Sequence, residues 1–381
     1  MNLRSKLPHV GTTIFTVMTN RARELGAINL AQGFPDFDSP ELLKELLARS
    51  VASGHNQYAP MIGEGALREQ IANKLGASYG RTPDPEAEIT ITLGATEAIF
   101  SAVSALVHPG DDVILFDPSY DSYAPAVILA GGRPVHVPLQ PPHFRIDWQQ
   151  VRARVTPRLR LVMINSPHNP TGSILSAGDL QQLADLLRPT DAMVLSDEVY
   201  EHMVYDGAKH ASVVGHAELY ARSVVCFSFG KTMHATGWRV GYAVAPPELT
   251  RELRRVHQFN TFSIATPLQL AIAEFLRLEP QHSNELAAFY QRKRDLFLRQ
   301  LQGSRFRWIP SEGTYFQLLD FSDLSDATDA EFADRVLREA GVASIPVSPF
   351  YQSPPTLGVV RFCFAKKDST LIEAAERLRK L

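Results

Sequence analysis

The stretch SFGKTMHATGWRVGY, residues 228–242, sets Lys231 three residues after Ser228 and eight before Arg239. The apolar run Val224-Val225-Cys226-Phe227 leads into it, so the lysine falls where a buried strand should end. A lysine drawn out of water loses part of its preference for the charged form and becomes a nucleophile able to form Schiff bases. A hydroxyl and a guanidinium on either side of it suit a phosphate. Taken alone, the stretch is equally open to a plain loop charge.

Three other stretches bring polar residues to the ends of apolar runs. In AMVLSDEVYEHMVYDG, Asp197 closes the run and Tyr200 follows three residues later. A carboxylate buried at a strand end needs a cation or donors, or it protonates; the competing role is to cap the next turn. In RLVMINSPHNPTG, Asn169 stands before Pro170, with Thr171-Gly172 behind it. That is a turn signal, and it also puts an amide donor at a strand end. In ITITLGATEAIF, Gly94 turns the chain and a helix starts near Ala95. Free backbone N–H groups at that helix start can hold a phosphate, with the helix dipole behind them. The alternative is a strand-to-helix turn that Thr96 caps. An amine, an acid and a phosphate cradle together match pyridoxal phosphate, which carries an aldehyde, a ring nitrogen and a phosphate. Its enzymes pair a lysine Schiff base with a carboxylate at the ring nitrogen.

These residues need a scaffold that gathers strand ends. Short apolar runs recur at Ile89–Leu93, Asp112–Phe116, Pro134–Pro138, Arg160–Asn165, Ala192–Asp197, Val224–Phe229 and Val240–Val244. Helical stretches such as Ala95–Leu106 and Asp179–Leu187 alternate with most of them. Two-sided apolar strands separated by helices predict an α/β fold with a buried, mainly parallel sheet. Ligands of such sheets bind beyond the carboxyl ends of the strands. A long helical pattern, Ser283–Gln302, follows the sheet. Beyond it, strand-like pieces (Gly313–Phe321, Gly358–Phe364) mix with helices (Ala330–Ala340, Ser369–Lys380), as in a smaller α+β lobe. The expected division is an N-terminal arm with part of the small domain at 1–44, a large domain at 45–280 and a small C-terminal domain at 281–381. The first forty residues should pack on the small lobe or on a partner chain.

The 381 residues are 45% hydrophobic and 21% charged, which is ordinary for a globular chain with a large core. The net charge of −3 and the lack of a long basic run argue against nucleic acid or an anionic membrane as partner. Cys226 and Cys363 both lie in apolar runs and are expected to be core thiols in a reducing, cytoplasmic setting, with no metal site. No apolar run is long enough to span a membrane, and MNLRSKLPHV lacks the apolar core of a signal peptide.

Seven motifs in order give the chain a resemblance to a known family. They are AQGFPDF (31–37), NQYAPMIGEGALREQIA (56–72), FDPSYDSY (116–123), NSPHNPTG (165–172), SDEVYEHMVYDG (196–207), SFGKTMHATGWRVGY and VVRFCFAKK (359–367). Over essentially its whole length the sequence resembles the class I and II pyridoxal-phosphate-dependent aminotransferases of fold type I. Within that family it is most similar to the kynurenine aminotransferase branch and to bacterial methionine aminotransferases.

The resemblance implies a large domain built on a seven-stranded sheet, a small α+β domain, and a homodimer that shares its active sites. It implies Lys231 as the amine that carries pyridoxal phosphate and Asp197 as the partner of the ring nitrogen. Tyr200 and Asn169 would hydrogen-bond the ring oxygen, and Tyr120 would stack on the ring. Ser228, Arg239, Ala95 and Thr96 would hold the phosphate, with Tyr58 arriving from the neighbouring subunit. Arg361 would bind the substrate carboxylate, helped by Asn169 and the Gly33 backbone. His168, Thr236 and Trp238 would give structural support. Gly230 departs from the serine that many relatives carry, removing one hydroxyl from the phosphate site. Ala95 falls where mammalian kynurenine enzymes have tyrosine, and Phe15 where they have tryptophan.

The implied side-chain pocket is Ile14, Phe15, Tyr58 and the partner's Phe262, apolar and without a second arginine. It suits a thioether or an aromatic ring better than a dicarboxylate. The expected activity is a ping-pong transfer of the amino group of methionine, and of phenylalanine, tyrosine or kynurenine, to a 2-oxo acid. The alternatives are cysteine-conjugate β-elimination, a preference for glutamine or kynurenine, and a non-enzymatic regulatory domain that binds pyridoxal phosphate.

Overall fold

Among the described residues, 4–381 of the computed structural model, twelve strands form three sheets. In chain order they are β1 (Ile28–Asn29), β2 (Ile89–Thr92), β3 (Asp112–Asp117), β4 (Arg133–Pro138), β5 (Leu159–Asn165), β6 (Met193–Asp197), β7 (Ser223–Ser228), β8 (Gly241–Val244), β9 (Phe316–Asp320), β10 (Val342–Ala343), β11 (Ile345–Pro346) and β12 (Val359–Cys363). The largest sheet has seven strands in the order β2-β8-β7-β6-β5-β3-β4. Only β8 runs against its neighbours; the other pairings are parallel. This is the mainly parallel α/β sheet that the apolar runs predicted, and each strand end lies within one residue of its expected position.

The alternation of side chains explains why those runs are apolar throughout. Val113, Leu115, Leu161, Met163, Leu195 and Cys226 pack on one face with the helix Gly94–Leu106. Ile114, Phe116, Val162, Ile164, Val194 and Phe227 enter the larger core on the other face. A strand covered on both faces has no position left for a solvated residue.

The smaller sheet, β11-β12-β9, is antiparallel and packs against the helix Asp329–Ala340, which in turn touches the helix Asp368–Leu378. The N-terminal segment joins it. β1 pairs in parallel with β10, and the Cys363 N–H donates to the Leu30 carbonyl at 2.8 Å. Residues 28–30 of the N-terminal segment therefore lie on the chain's own small lobe. The strand expected over Gly313–Phe321 begins only at Phe316. Before it, Gly313 N donates to Gly172 O and Thr314 N to Met203 O, and Thr314 sits at φ 64°. That backbone is spent on tying the two parts of the molecule together. Among the described residues no helix is long and apolar enough to cross a membrane.

Candidate active site

The parallel sheet delivers its polar strand ends to one edge. Asn165 closes β5, Asp197 closes β6 and Ser228 closes β7, with Asn165 and Asp197 directly paired across the sheet. The helix that starts at Gly94 and the segment after β3 that carries Tyr120 emerge from the same edge. Above it a cavity of about 460 Å³ is lined by Phe15, Gly33, Ala95, Thr96, Tyr120, Asn169, Asp197, Tyr200, Ser228, Lys231, Arg239 and Arg361, among others.

Lys231 does not lie in an open loop. A single helical turn, Phe229–Thr232, continues from β7 and carries it. Its Nζ donates to the Tyr315 hydroxyl at 3.1 Å, and no carboxylate pairs with it among the described residues. Burial lowers its pKa from 10.5 to about 8, with the Arg239 charge adding to the effect. A lysine so placed holds a sizeable neutral fraction near neutral pH.

Asp197 is buried beneath the cavity. Tyr123 donates to its Oδ2 at 2.6 Å, and the Val199 N–H reaches Oδ1 only at 3.3 Å, a weak cap. Burial pushes its pKa up to about 6 in spite of these donors. A carboxylate held this way gains from a cation brought into the cavity.

Two arginines line the cavity. Arg239 takes the left-handed conformation, φ 55°, which folds its guanidinium back toward the start of the helix Gly94–Leu106. Its Nη2 approaches Thr96 Oγ1 at 3.5 Å. Gly94 has φ +68°, and a Cβ there would meet Arg239 Nη2 at 3.0 Å, so the turn requires glycine. Thr96 is therefore not the cap of this helix; it sits inside the first turn, beside the arginine.

Arg361, in the middle of β12, is 0% exposed. Its Nη1 donates to Asn169 Oδ1 at 2.6 Å and its Nη2 to the Ala31 carbonyl at 3.0 Å. Its Nε has no partner, and no carboxylate pairs with it among the described residues. The guanidinium lies 3.8 Å from the centroid of the Phe316 ring. Burial lowers its pKa to about 10, so it stays a cation at neutral pH. Asn169 accepts from Arg361, and its backbone N–H donates to Asn165 Oδ1 at 2.8 Å. Its side-chain NH₂ remains to donate.

Some expected site residues lie elsewhere. Tyr58 and Phe262 do not line this chain's cavity. They pack edge to face at 5.4 Å, with Tyr58 84% exposed and Phe259 nearby in sequence 86% exposed. Ile14 is also outside. It begins the helix Ile14–Glu24, and one residue of helix turns the side chain by roughly 100°, so Phe15 reaches the cavity while Ile14 lines a neighbouring one with Phe350 and Tyr351. Thr236, expected to give structural support, lines the main cavity. At Gly230 a Cβ would come within 3.1 Å of Thr236 Cα and 3.3 Å of the Ala235 carbonyl. The missing serine there is matched by a close approach of the segment that carries Thr236.

Sequence reasoning gave no role to Asn165, Tyr123, Tyr315 or Phe316. The first two lie in motifs that were recognised, NSPHNPTG and FDPSYDSY. The contacts of Asn165 depend on strand register and those of Tyr123 on how the helix Tyr123–Leu129 leaves β3, which spacing alone does not show.

The residues fit a pyridoxal phosphate. The cavity offers a buried amine without a carboxylate partner, a desolvated acid without a cation, and a helix start flanked by a hydroxyl and a guanidinium. Among the described residues no His, Cys, Asp and Glu cluster that could hold a metal ion is present.

Comparison with known proteins gives a consistent result. The family model for aminotransferase class I and II matches residues 26–378. The chain is 52% identical over 378 residues to the methionine aminotransferase of Escherichia coli K12, covering 99% of this chain and 98% of that protein. An E. coli crystal structure identified with a methionine aminotransferase function superposes with a TM-score of 0.98 over all of both chains, at 52% identity. The N-succinyldiaminopimelate aminotransferase of Mycobacterium tuberculosis superposes with a TM-score of 0.96, at 39% identity and full coverage of both chains. Human kynurenine–oxoglutarate transaminase 1 is 33% identical, over 94% of this chain and 93% of its own length.

Proposed function

The chain belongs to the class I and II aminotransferases, a pyridoxal-phosphate-dependent family, and from that premise we propose that it moves the amino group of methionine and of aromatic amino acids onto a 2-oxo acid. The observation that carries this reading is Arg361, a fully buried cation with, among the described residues, a free Nε and no carboxylate partner, lining the same cavity as Lys231. A buried charge of this kind is costly unless a ligand completes it, and the α-carboxylate of an amino acid does so as a fork.

When bound, pyridoxal phosphate supplies an aldehyde for the amino group and a cationic ring that spreads the charge left on the substrate. The chain does the rest. Ser228, Arg239 and the N–H groups of Ala95 and Thr96 would hold the phosphate at the helix start. Asp197, ionised beside a cation, fixes the ring nitrogen's proton. Tyr200 and Asn169 would donate to the ring oxygen, and Tyr120 would cover the ring. Lys231 Nζ takes the proton from the substrate α-carbon and would give it up on the cofactor side and not to that carbon, which is what separates amino transfer from mere exchange; a pKa of about 8 suits that relay near neutral pH.

Methionine is favoured by the remaining lining. Phe15, Phe34, Ile99 and Phe316 border the cavity, and among the described residues its only arginines are Arg239 and Arg361. A second carboxylate on the substrate would find no free cation and would face Asp121, another carboxylate on the lining. The 52% identical methionine aminotransferase supports the same choice.

The division of labour that fits is a cofactor-holding domain at 45–280 and a substrate-clamping unit made of 281–381 and the arm 1–44. The exposed Tyr58, Phe259 and Phe262 suit a homodimer in which each chain completes its partner's site; sedimentation as a 42.2 kDa monomer would contradict that. Cys226 and Cys363, both buried free thiols, suit a reducing cytoplasm.

A donor panel tests the substrate reading. Purified protein with pyridoxal phosphate is given each amino acid against several 2-oxo acids, and products are identified. Methionine and aromatic donors are expected to exceed aspartate and glutamate by at least about tenfold in kcat/KM, the scale of one missing charge partner. Preference for a dicarboxylate donor would overturn it. Pyruvate with ammonia from cysteine conjugates, without amino transfer from methionine, would point to elimination instead.

A further inference from the structure

Tyr315 meets the site from the small lobe. It is 0% exposed and directly precedes β9. Its carbonyl accepts from Phe364 N–H at 2.9 Å. Its ring packs edge to face on Tyr200 at 5.2 Å and on Phe316 at 4.9 Å. Backbone and ring are therefore both fixed, and so is the hydroxyl.

That hydroxyl has one hydrogen. It donates to the Gly33 carbonyl at 2.6 Å, which leaves an oxygen lone pair to accept from Lys231 Nζ at 3.1 Å. Among the described residues this is the only hydrogen bond that the Lys231 amine makes. Tyr315 thus joins the proton-moving lysine of the large sheet to the Gly33 segment that lines the substrate end of the cavity.

Resting on the proposed function of Lys231, we propose that Tyr315 is the positioning residue for its amine: the hydroxyl holds free Nζ at a fixed point whose other anchor is the Gly33 carbonyl. Proton transfer falls off steeply when a base is misplaced by an ångström. Freed from this point, Nζ would sample its rotamers and meet the substrate α-carbon less often. The effect belongs to kcat, because Arg361 and the cofactor-holding residues are untouched.

The Tyr315→Phe variant keeps the ring and removes only the hydroxyl. For methionine, kcat is expected to fall about ten- to a hundredfold while KM stays within about threefold. A readout independent of turnover is the pH midpoint of Lys231 in cofactor-free protein, followed by lysine-selective acylation and peptide mass. Arg239, Asp197, Arg361 and Cys363 also face this amine, and all remain in the variant. Loss of the accepting oxygen removes support from the ammonium, so the midpoint should drop by about half a pH unit. An unchanged midpoint overturns the proposal whatever the rates do.

Should the variant fail to fold, the wild type decides. With tyrosine labelled at the hydroxyl-bearing carbon, one signal should shift at the Lys231 midpoint and lose that shift in Lys231→Ala. A flat titration overturns the proposal. Full turnover by Lys231→Ala would instead sink the function assigned to Lys231 itself, so the two failures are distinguishable.

Discussion

Lys231→Ala is expected to lower kcat for methionine by on the order of 10⁴-fold or more while leaving the fold intact, because it removes both the amine that carries the cofactor and the base that moves the proton. The same variant should change how stability responds to pH. The folded lysine releases its proton at about 8, against 10.5 for an ordinary lysine. Between these values the unfolded chain binds more protons than the folded one, so stability rises with pH across that window. Below about pH 8 the full cost of burying the charge is present, up to about 3 kcal/mol. Cofactor-free wild type should therefore gain stability in urea between pH 8 and 10.5, and Lys231→Ala should lack that gain. Equal pH slopes in the two proteins would mean that the amine is not desolvated. Normal amino transfer by the variant would remove Lys231 from the chemistry.

Arg361→Ala should mainly weaken substrate. Truncating one side of a buried, hydrogen-bonded charge pair costs about 2–5 kcal/mol, so kcat/KM for methionine should fall by roughly 30-fold to a few thousandfold, most of it in KM. Two features raise the expected cost above that of a surface arginine. The guanidinium is already held by Asn169 and Ala31, so little ordering remains to be done on binding. It also stacks on Phe316, which keeps water from replacing the lost contact. Arg361→Lys retains a charge without the fork and should recover only part of the loss. Steady-state rates over a range of methionine concentrations check both. An unchanged apparent affinity in Arg361→Ala would contradict the carboxylate assignment.

The main sheet was legible because its physics is local. Strands buried on both faces must be apolar at every position, so Val113 and Ile114 both announce one although they point to opposite cores. The polar residues at the ends of such runs, Asp197 and Ser228, then mark the crevice. The small lobe was less legible. Its strand β9 is shortened by contacts from Gly313 and Thr314 to loops more than a hundred residues earlier, and no local pattern encodes those.

Side-chain partners were the least visible part of the site. Tyr123 reaches Asp197 across 74 positions of sequence, and Tyr315 reaches Gly33 across 282. Ile14 and Phe15 show the same limit on a finer scale. Both are apolar neighbours, and only the phase of the helix decides which one meets the cavity. The departure at Gly230 also changes meaning in the structure. It reads as a lost hydroxyl in the sequence, whereas the fold uses the missing side chain to bring Thr236 close.

The most direct measurement is the transfer itself. Methionine carrying heavy nitrogen is mixed with the purified protein, pyridoxal phosphate and an unlabelled 2-oxo acid, and both products are followed by mass. The heavy nitrogen should appear in the amino acid formed from the oxo acid, one for one with the oxo acid formed from methionine. Heavy nitrogen recovered as ammonia, or left on methionine, would contradict the account.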